Sequence, residues 1–506
     1  MTPPGVPRRR PDLLVVAALA VPLAFCVARL DLDLWYDEAF TLQTFVSHGF
    51  DTIVTDYSYP NNHVFYSLVV LPFSLVSDAN VVLRLPSLLL SVGTLLLTWR
   101  LVRRVVSREA AACAVAWLGL NQLFLNFAVQ VRGYALSMCL AAALGNLVLR
   151  QGPDPWWRRG MVVATVAAFL YTLPTNVVFA MPLAAAAVGT VVLRGEGARH
   201  AAREAMLWAA GAVVAIVCYT PIIDAVLAQR GTPAPSRAVL DFVVHVLRLT
   251  VRDAPWIWVL WPLGLAAWLA RRRADPWPGR GDARELLVLV VFGVFGPLAV
   301  LFALRPAPLF ERTMLPLLPF LAAANGWLLW ETLEAVRARL VARAPRSSTA
   351  ACAILLLLAV YLPSLLTHPA RLAEYRDRTF AQDGYYNYYN ARFCPSCVVR
   401  HLQRTVPADQ EYVVVYDRRG YFVLNHYFAR LGFPQARLAS AGGRPSESKD
   451  VVAWVYYVVP TLATWEDLEE RLGVSRDVLA RFPLVQDFGY FKLYRSPAPL
   501  RFARWF

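Results

Sequence analysis

"HVFYSLVVLPFSLV", residues 63–76, is the stretch on which the topology of this chain turns. It is apolar, but only 14 residues long and interrupted by Pro72. A helix needs roughly 20 apolar residues to cross a bilayer's hydrocarbon core. If this stretch crossed, the basic "TWRLVRR" at 98–104, which closes the next apolar run, would fall on the outer side. Basic residues near span ends favour the cytoplasmic side. Residues 63–76 therefore read as an interfacial or re-entrant helix on the outer face. A short tilted crossing is the alternative.

Outward from that stretch the chain is a succession of apolar runs. Of 506 residues, 58% are hydrophobic and only 17% charged. Runs that read as spans fall at about 13–30, 81–100, 109–126, 135–150, 161–174, 176–193, 205–222, 256–270, 286–304, 313–330 and 350–366, two of them short enough to need neighbouring apolar flanks. Backbone N–H and C=O groups in lipid must be satisfied internally, so each run is expected to be helical. The fold class is a polytopic α-helical membrane protein of about 11 spans, with the N-terminus cytoplasmic and the C-terminus outside. The start of the chain resembles a signal peptide but lacks a small-residue cleavage site, so it reads as an uncleaved first helix.

The net charge of +15 follows the same topology. Arginines gather in alternate gaps, at 8–10, 100–104, 158–159, 194–203, 271–273 and 337–339, as cytoplasmic loops require. A nucleic-acid partner is not needed to explain them. The expected partners include membrane lipids and no nucleic acid.

The remaining gaps form the outer face. Residues 31–80 make one long external loop, which contains the interfacial helix. At its start, "RLDLDLWYDEAFTLQ" places Asp31, Asp33, Asp37 and Glu38 beside the end of the first span. Trp35 and Tyr36 suit the membrane interface. Ionisable groups at a membrane boundary are costly and point to a site, though a solvated loop start is the bland reading. A second polar knot, Asp56, Tyr59, Asn61, Asn62 and His63, precedes the short helix. A carboxylate near Asn and His can act as general base, hold a divalent cation (Mg, Mn or Ca), or hydrogen-bond a sugar. If a metal binds, its candidate ligands are Asp37, Glu38 and His63.

Three arginines lie on the outer side, against the cytoplasmic pattern: Arg84 in "VLRLPSLLL", Arg132 in "QVRGYAL" beside Tyr134, and Arg312 in "LFERTML". Arginine stays charged and binds phosphate through two parallel hydrogen bonds. The alternative for Arg84 is a snorkelling side chain.

"WYDEAFTL", "YPNNHVFYSLVVLPFSL" and "VLRLPSLLLSVGTLLLTWRLVRR", in that order, resemble the N-terminal region of the GT-C membrane glycosyltransferases. The nearest resemblance is to family 39-like bacterial members, relatives of protein O-mannosyltransferases and lipid A aminoarabinose transferases. "VRGYAL" and "FERTMLPLLPFLAAANG" are similar to two later blocks, so the likeness spans about residues 1–330. It implies a polyprenyl-phosphate sugar donor used on the outer face of a bacterial cytoplasmic membrane, with a lipid, cell-wall glycan or protein as acceptor. It also implies Asp37 as catalytic base or acceptor-positioning group, Glu38 as a second catalytic acid orienting acceptor or metal, and Arg132 and Arg312 at the lipid phosphate. Relatives often carry "HPPLYY" where this chain has "YPNNHVFY", which leaves sugar and acceptor open. The rival function is a flippase, polymerase or transporter of lipid-linked saccharides. Transporters favour internal repeats and polar groups at the midplane, neither of which is evident here.

Composition shifts after Thr367. The expected division is a transmembrane catalytic module over 1–369 and an extracytoplasmic α/β domain over 370–506. "EYVVVYD", "VVAWVYYVVP" and "FGYFKLYRS" read as strands, with helices near 420–430 and 464–482. Tyr385, Tyr386, Tyr388 and Tyr389 offer either a sugar-stacking patch or interfacial packing. Cys394 and Cys397 in "FCPSC" read as a local disulfide or an idle pair rather than a zinc site.

Overall fold

The computed structural model describes residues 13–149, 155–229, 234–251, 257–274, 283–305, 311–340, 345–367, 393–407, 409–416, 422–434, 438–440, 451–460 and 476–502. The chain divides into two compact units. The first takes in residues 1–30 and 49–366, the second residues 31–48 and 367–506.

Among the described residues the regular structure of the first unit is all helical, and each of the expected apolar runs forms helix. Among the described residues, five helices are long and apolar enough to cross a membrane: Asn80–Val105, Pro174–Leu193, Ala198–Ala228, Arg284–Leu304 and Glu311–Arg339. Shorter apolar helices include Leu13–Val27, Val64–Val76 and Tyr134–Val148. At 1.5 Å per residue, Val64–Val76 is about 20 Å long, short of the roughly 30 Å hydrocarbon core. The protein is a multi-pass helical membrane protein.

At the centre of this unit runs Arg108–Leu120, and every residue from Glu109 to Met138 is buried. Its sequence "REAAACAVAWLGL" is alanine-rich because neighbouring backbones come close. A Cβ on Gly326, in the helix Leu318–Leu340, would fall 2.4 Å from the Ala114 nitrogen. Close approach of small residues is how helices pack where lipid gives no hydrophobic drive.

Three runs differ from simple spans. The run at 109–126 is two helices, Arg108–Leu120 and Gln122–Phe127, joined at Asn121. Asn121 Oδ1 accepts from the Leu123 N–H at 3.0 Å, and its Nδ2 donates to the Thr250 carbonyl at 3.0 Å. An asparagine side chain that caps a new first turn ends the old helix. A π-turn, Val291–Phe295, interrupts the run at 286–304 where Gly293 meets the Phe320 ring. The run at 313–330 opens as a 3₁₀ turn, Glu311–Leu317, before Leu318–Leu340. The outer gap at 223–255, between the runs at 205–222 and 256–270, also holds a helix, Ser236–Val251.

The second unit carries a mixed sheet: β1 Tyr412–Tyr416, β2 Leu438–Ser440, β3 Val451–Pro460, β4 Leu484–Asp487, β5 Phe491–Arg495 and β6 Leu500–Phe502. The order is β2-β1-β3-β5-β4, with β6 also on β3. β1 runs parallel to β2 and β3, with Val414 opposite Tyr456; β5 runs antiparallel to β3, with Leu493 opposite Val458. The β-branched strands expected from the sequence thus lie side by side. Val415, Val455, Val459, Leu479 and Phe482 form a core on one face. Helices Pro395–Thr405 and Phe422–Arg430 accompany the sheet, and Cys394 and Cys397 form a disulfide. The tyrosines at 385–389, and most of the helix expected at 464–482, lie outside the described residues.

A buried arginine–histidine knot and an acidic helix as candidate functional sites

The acidic residues belong to the second unit. Tyr36–Thr44 is a helix, not loop, and Asp37 and Glu38 occupy its first turn, where carboxylates favour the helix dipole. Glu38 is fully buried, and its Oε2 accepts from the Trp35 N–H at 2.7 Å, closing the helix N-terminus. Asp37 is partly exposed, and its carbonyl accepts from the Thr41 hydroxyl at 2.9 Å. Trp35, expected at the membrane interface, is instead packed among rings of its own unit. Phe393 lies 4.7 Å away and Tyr490 6.1 Å.

Asp33 also differs from its reading as a solvated loop acid. Its Oδ2 accepts from the Ser396 N–H at 2.7 Å, in the first turn of Pro395–Thr405. The Tyr427 hydroxyl donates to the same carboxylate and accepts from the Leu34 N–H at 2.7 Å. Burial holds the Asp33 carboxyl above the ordinary aspartate range, although the hydrogen bonds from Ser396 and Tyr427 and the charge of Arg400 pull the other way.

The second polar knot lies in the first unit. Asn62 clamps the loop: its Nδ2 donates to the carbonyls of Ile53 at 2.8 Å and Asp56 at 2.9 Å, and its Oδ1 accepts from Ser67 at 3.0 Å. Asp56 Oδ1 accepts from the Ser58 N–H at 2.8 Å, forming a local turn. Tyr59 projects outward at 55% exposure. These contacts set the loop so that Asn61 and His63 turn inward.

Arg132 meets them there. It sits in a non-helical segment between Phe127 and Tyr134 that the sequence places in an outer loop, yet the segment is wholly buried. Its carbonyls are satisfied by hydroxyls of neighbouring helices: Ser87 and Tyr66 donate to Gln130, and Ser91 donates to Ala128 at 2.7 Å. Irregular backbone at membrane depth is tolerated where protein surrounds it. From this segment the Arg132 guanidinium donates to Asn61 Oδ1 and, at 3.3 Å, to the Asn61 carbonyl and the Tyr134 hydroxyl.

His63 completes the knot. Its Nδ1 accepts from the Gly133 N–H at 2.7 Å, so a neutral ring carries its proton on Nε2. Nε2 faces Arg132 Nη2 at 3.2 Å. Two donors are thereby set side by side, an arrangement suited to an anionic oxygen rather than to each other. Burial, then the charges of Arg132 and Arg312, hold the His63 pKa well below the ordinary histidine value. A Cβ on Gly133 would fall 2.9 Å from His63 Nδ1, which is why glycine stands in "VRGY". Tyr57 joins from the same loop, its phenol pushed up to about 12 by burial against the lowering charge of Arg132.

Arg312, in the 3₁₀ turn Glu311–Leu317, is close enough for its charge to act on His63. Arg132, Tyr134, Asn61 and His63 are brought together by direct contacts. Arg84 is used elsewhere. Fully buried, it donates from Nη1 to the carbonyls of Arg29 and Leu30, both at 3.1 Å, where the first helix ends. Gly133 and Tyr57 were not singled out from the sequence; the glycine between Arg132 and Tyr134 was the available signal.

The expected divalent cation finds no donor set among the described residues, where no three His, Cys, Asp or Glu side chains gather in a way that could hold a metal. His63 Nδ1 faces a backbone N–H and Nε2 an arginine, so the ring is not presented to a metal.

No family model matches the chain, and no curated protein matches it. Among solved structures it is similar to ArnT from Cupriavidus metallidurans bound to undecaprenyl phosphate, with 15% identity and a TM-score of 0.53. That match covers 98% of this chain and 100% of the other. The apo state of the same protein gives 16% identity and a TM-score of 0.50, covering 95% of this chain and 97% of that one. ArnT is a lipid A aminoarabinose transferase of the GT-C superfamily. The likeness is one of fold, and that fold is the GT-C fold which the sequence motifs resemble.

Proposed function

We propose that this GT-C-fold chain is a membrane glycosyltransferase that moves a sugar from a polyprenyl-phosphate donor to an acceptor hydroxyl outside the cytoplasmic membrane. The placing of the Arg132 guanidinium beside the His63 Nε2, where the charge of Arg312 also acts, carries the reading. A lipid phosphate needs fixed positive charge and directed N–H donors in a place from which water is excluded. The knot offers both. ArnT, a solved structure of like fold, is described as bound to undecaprenyl phosphate, which accords with it.

In this reading the acceptor oxygen attacks the anomeric carbon from the face opposite the lipid phosphate, and the stereochemistry inverts. The bond from the anomeric carbon to the phosphate oxygen breaks as the new glycosidic bond forms. The acceptor's proton passes to Asp37 as general base, and Glu38 holds the helix that carries it. Charge developing on the departing phosphate is taken up by Arg132 and Arg312, with the His63 Nε2–H as a neutral donor beside them. Asn61 orients Arg132, and Tyr134 supports both it and His63.

The topology proposed with it has 11 crossings, the N-terminus in the cytoplasm and the C-terminal unit outside. Arg104, Arg158 and Arg194 support the inward assignment of the far helix ends. All three donate to the last carbonyls of Tyr134–Val148, at Asn146, Leu147 and Val148. Arg158 also pairs with Glu204 at 2.8 Å, and Arg194 with Glu285.

The test is radiolabelled sugar transfer from a panel of polyprenyl-phosphate donors, using membranes that contain the intact protein. Transfer from at least one donor, lost in Arg132→Ala, is the expected result. Transfer from none, with the protein folded and present, would point to a transporter of lipid-linked saccharides instead.

A further inference from the structure

We infer that the C-terminal unit is part of the catalytic apparatus, in that it holds the acidic helix in place, with Tyr427 and Asp33 as its positioning residues. The inference rests on the proposed role of Asp37. Residues 31–48 form one compact unit with residues 367–506, not with the helices that flank them in sequence. Three sets of contacts make the attachment. The Asp33 carboxylate caps the first turn of Pro395–Thr405 at the Ser396 N–H, 2.7 Å away. The Tyr427 hydroxyl bridges two successive residues, accepting from the Leu34 N–H and donating to Asp33. Trp35 is enclosed by Phe393 and Tyr490. The disulfide between Cys394 and Cys397 closes the turn from which that capped helix starts.

The consequence follows from chain geometry. Trp35 is the residue before Tyr36–Thr44, and its N–H is the group that Glu38 receives at 2.7 Å. The rotational setting of the acidic helix is therefore fixed at Asp33, Leu34 and Trp35, two to four residues before Asp37. Every one of those anchors comes from the C-terminal unit. A nucleophile-activating carboxylate works only within a narrow range of positions, so its holder contributes to rate without touching substrate. Glu38 is then a residue that fastens the helix, and Asp37 the one left to face a substrate.

The test uses the full-length protein in detergent or nanodiscs, with three variants. Tyr427→Phe keeps the ring and removes only the bridging hydroxyl. Asp33→Ala removes the cap, and Asp33→Asn restores a neutral acceptor oxygen for the Ser396 N–H. Amide hydrogen exchange is read over residues 36–44, and steady-state transfer is read alongside. In Tyr427→Phe and Asp33→Ala, exchange over 36–44 is expected to rise by about tenfold or more, the scale of one lost charge-assisted hydrogen bond. kcat should fall by a similar factor, the KM for the lipid donor should stay within about twofold, and Asp33→Asn should recover most of the loss. Unchanged exchange over 36–44 in both damaging variants would overturn the attachment. Raised exchange with undiminished kcat would overturn its catalytic meaning. If the wild type transfers no sugar at all, the proposed function fails, and the exchange readout still decides whether the C-terminal unit holds the helix.

Discussion

Two polar clusters stand in the first 63 residues, and they are built in opposite ways. The knot at His63 is assembled from one side of the fold, by partners about 70 residues along the chain: Arg132 and Gly133 meet it at separations of 69 and 70. The acidic cluster is secured by partners at the other end, with Asp33 and Leu34 reaching Ser396 and Tyr427 at separations of 363 and 393. One cluster is cationic and buried among membrane helices. The other is anionic and belongs to a unit with its own sheet. In the proposed reaction the first cluster takes the anionic leaving group and the second takes the acceptor's proton.

The comparison breaks most visibly at Asp37. Asp37→Asn keeps the shape and removes the base, so turnover should fall by about 10²- to 10⁴-fold while binding of the lipid donor persists. A variant with near wild-type turnover would remove the acid from the chemistry. Arg132→Lys comes next. It keeps the charge and loses the planar fork that reaches Asn61, Tyr134 and the space beside His63. Transfer should drop by about 10²- to 10³-fold, and donor KM should rise with it.

Arg84→Met separates structure from chemistry. It leaves the carbonyls of Arg29 and Leu30 without this donor inside the protein. A stability loss of about 3 kcal/mol is expected in thermal unfolding, with donor KM unchanged in the folded fraction. A rise in KM at full stability would instead put Arg84 at the phosphate.

The smallest effect is on the pH dependence of stability. His63 is held neutral by burial and by the charges of Arg132 and Arg312, so its folded pKa lies below the unfolded value of about 6.5. Below that value the unfolded chain binds a proton that the folded chain does not. The contribution of His63 is therefore fully present above about pH 6.5 and declines as the pH falls beneath it. Unfolding midpoints measured across that range should show a slope that His63→Gln reduces.

Much of the first unit was legible because hydropathy marks helices directly: "VVLRLPSLLLSVGTLLLTWRLV" could be little else in lipid. What hydropathy averages over was lost. Asn121 divides a continuous apolar run because a single side-chain oxygen caps a new helix, and "SRAVLDFVVHVLRLTV" was passed over because it is amphipathic rather than apolar. The motif at Arg132 was visible as a misplaced charge, and the structure brings it to His63. The same reasoning singles out Arg84, whose guanidinium donates to two carbonyls at the end of the first helix. The hold on Asp33 was illegible in principle, since its partner lies some 360 residues away in a region that carries no matching motif. Acidic residues near a membrane announce themselves by cost, but they do not announce what holds them.

Direct binding of a polyprenyl phosphate, without sugar or acceptor, tests the central claim at its source. Titration of the purified protein in nanodiscs against the lipid monophosphate should show saturable binding. Arg132→Ala should weaken it by about 30-fold or more, the scale of a lost charge-assisted pair. His63→Phe should weaken it less, and Arg84→Met not at all. Equal affinity in wild type and Arg132→Ala would contradict the account, because the phosphate would then be held somewhere other than the arginine–histidine knot.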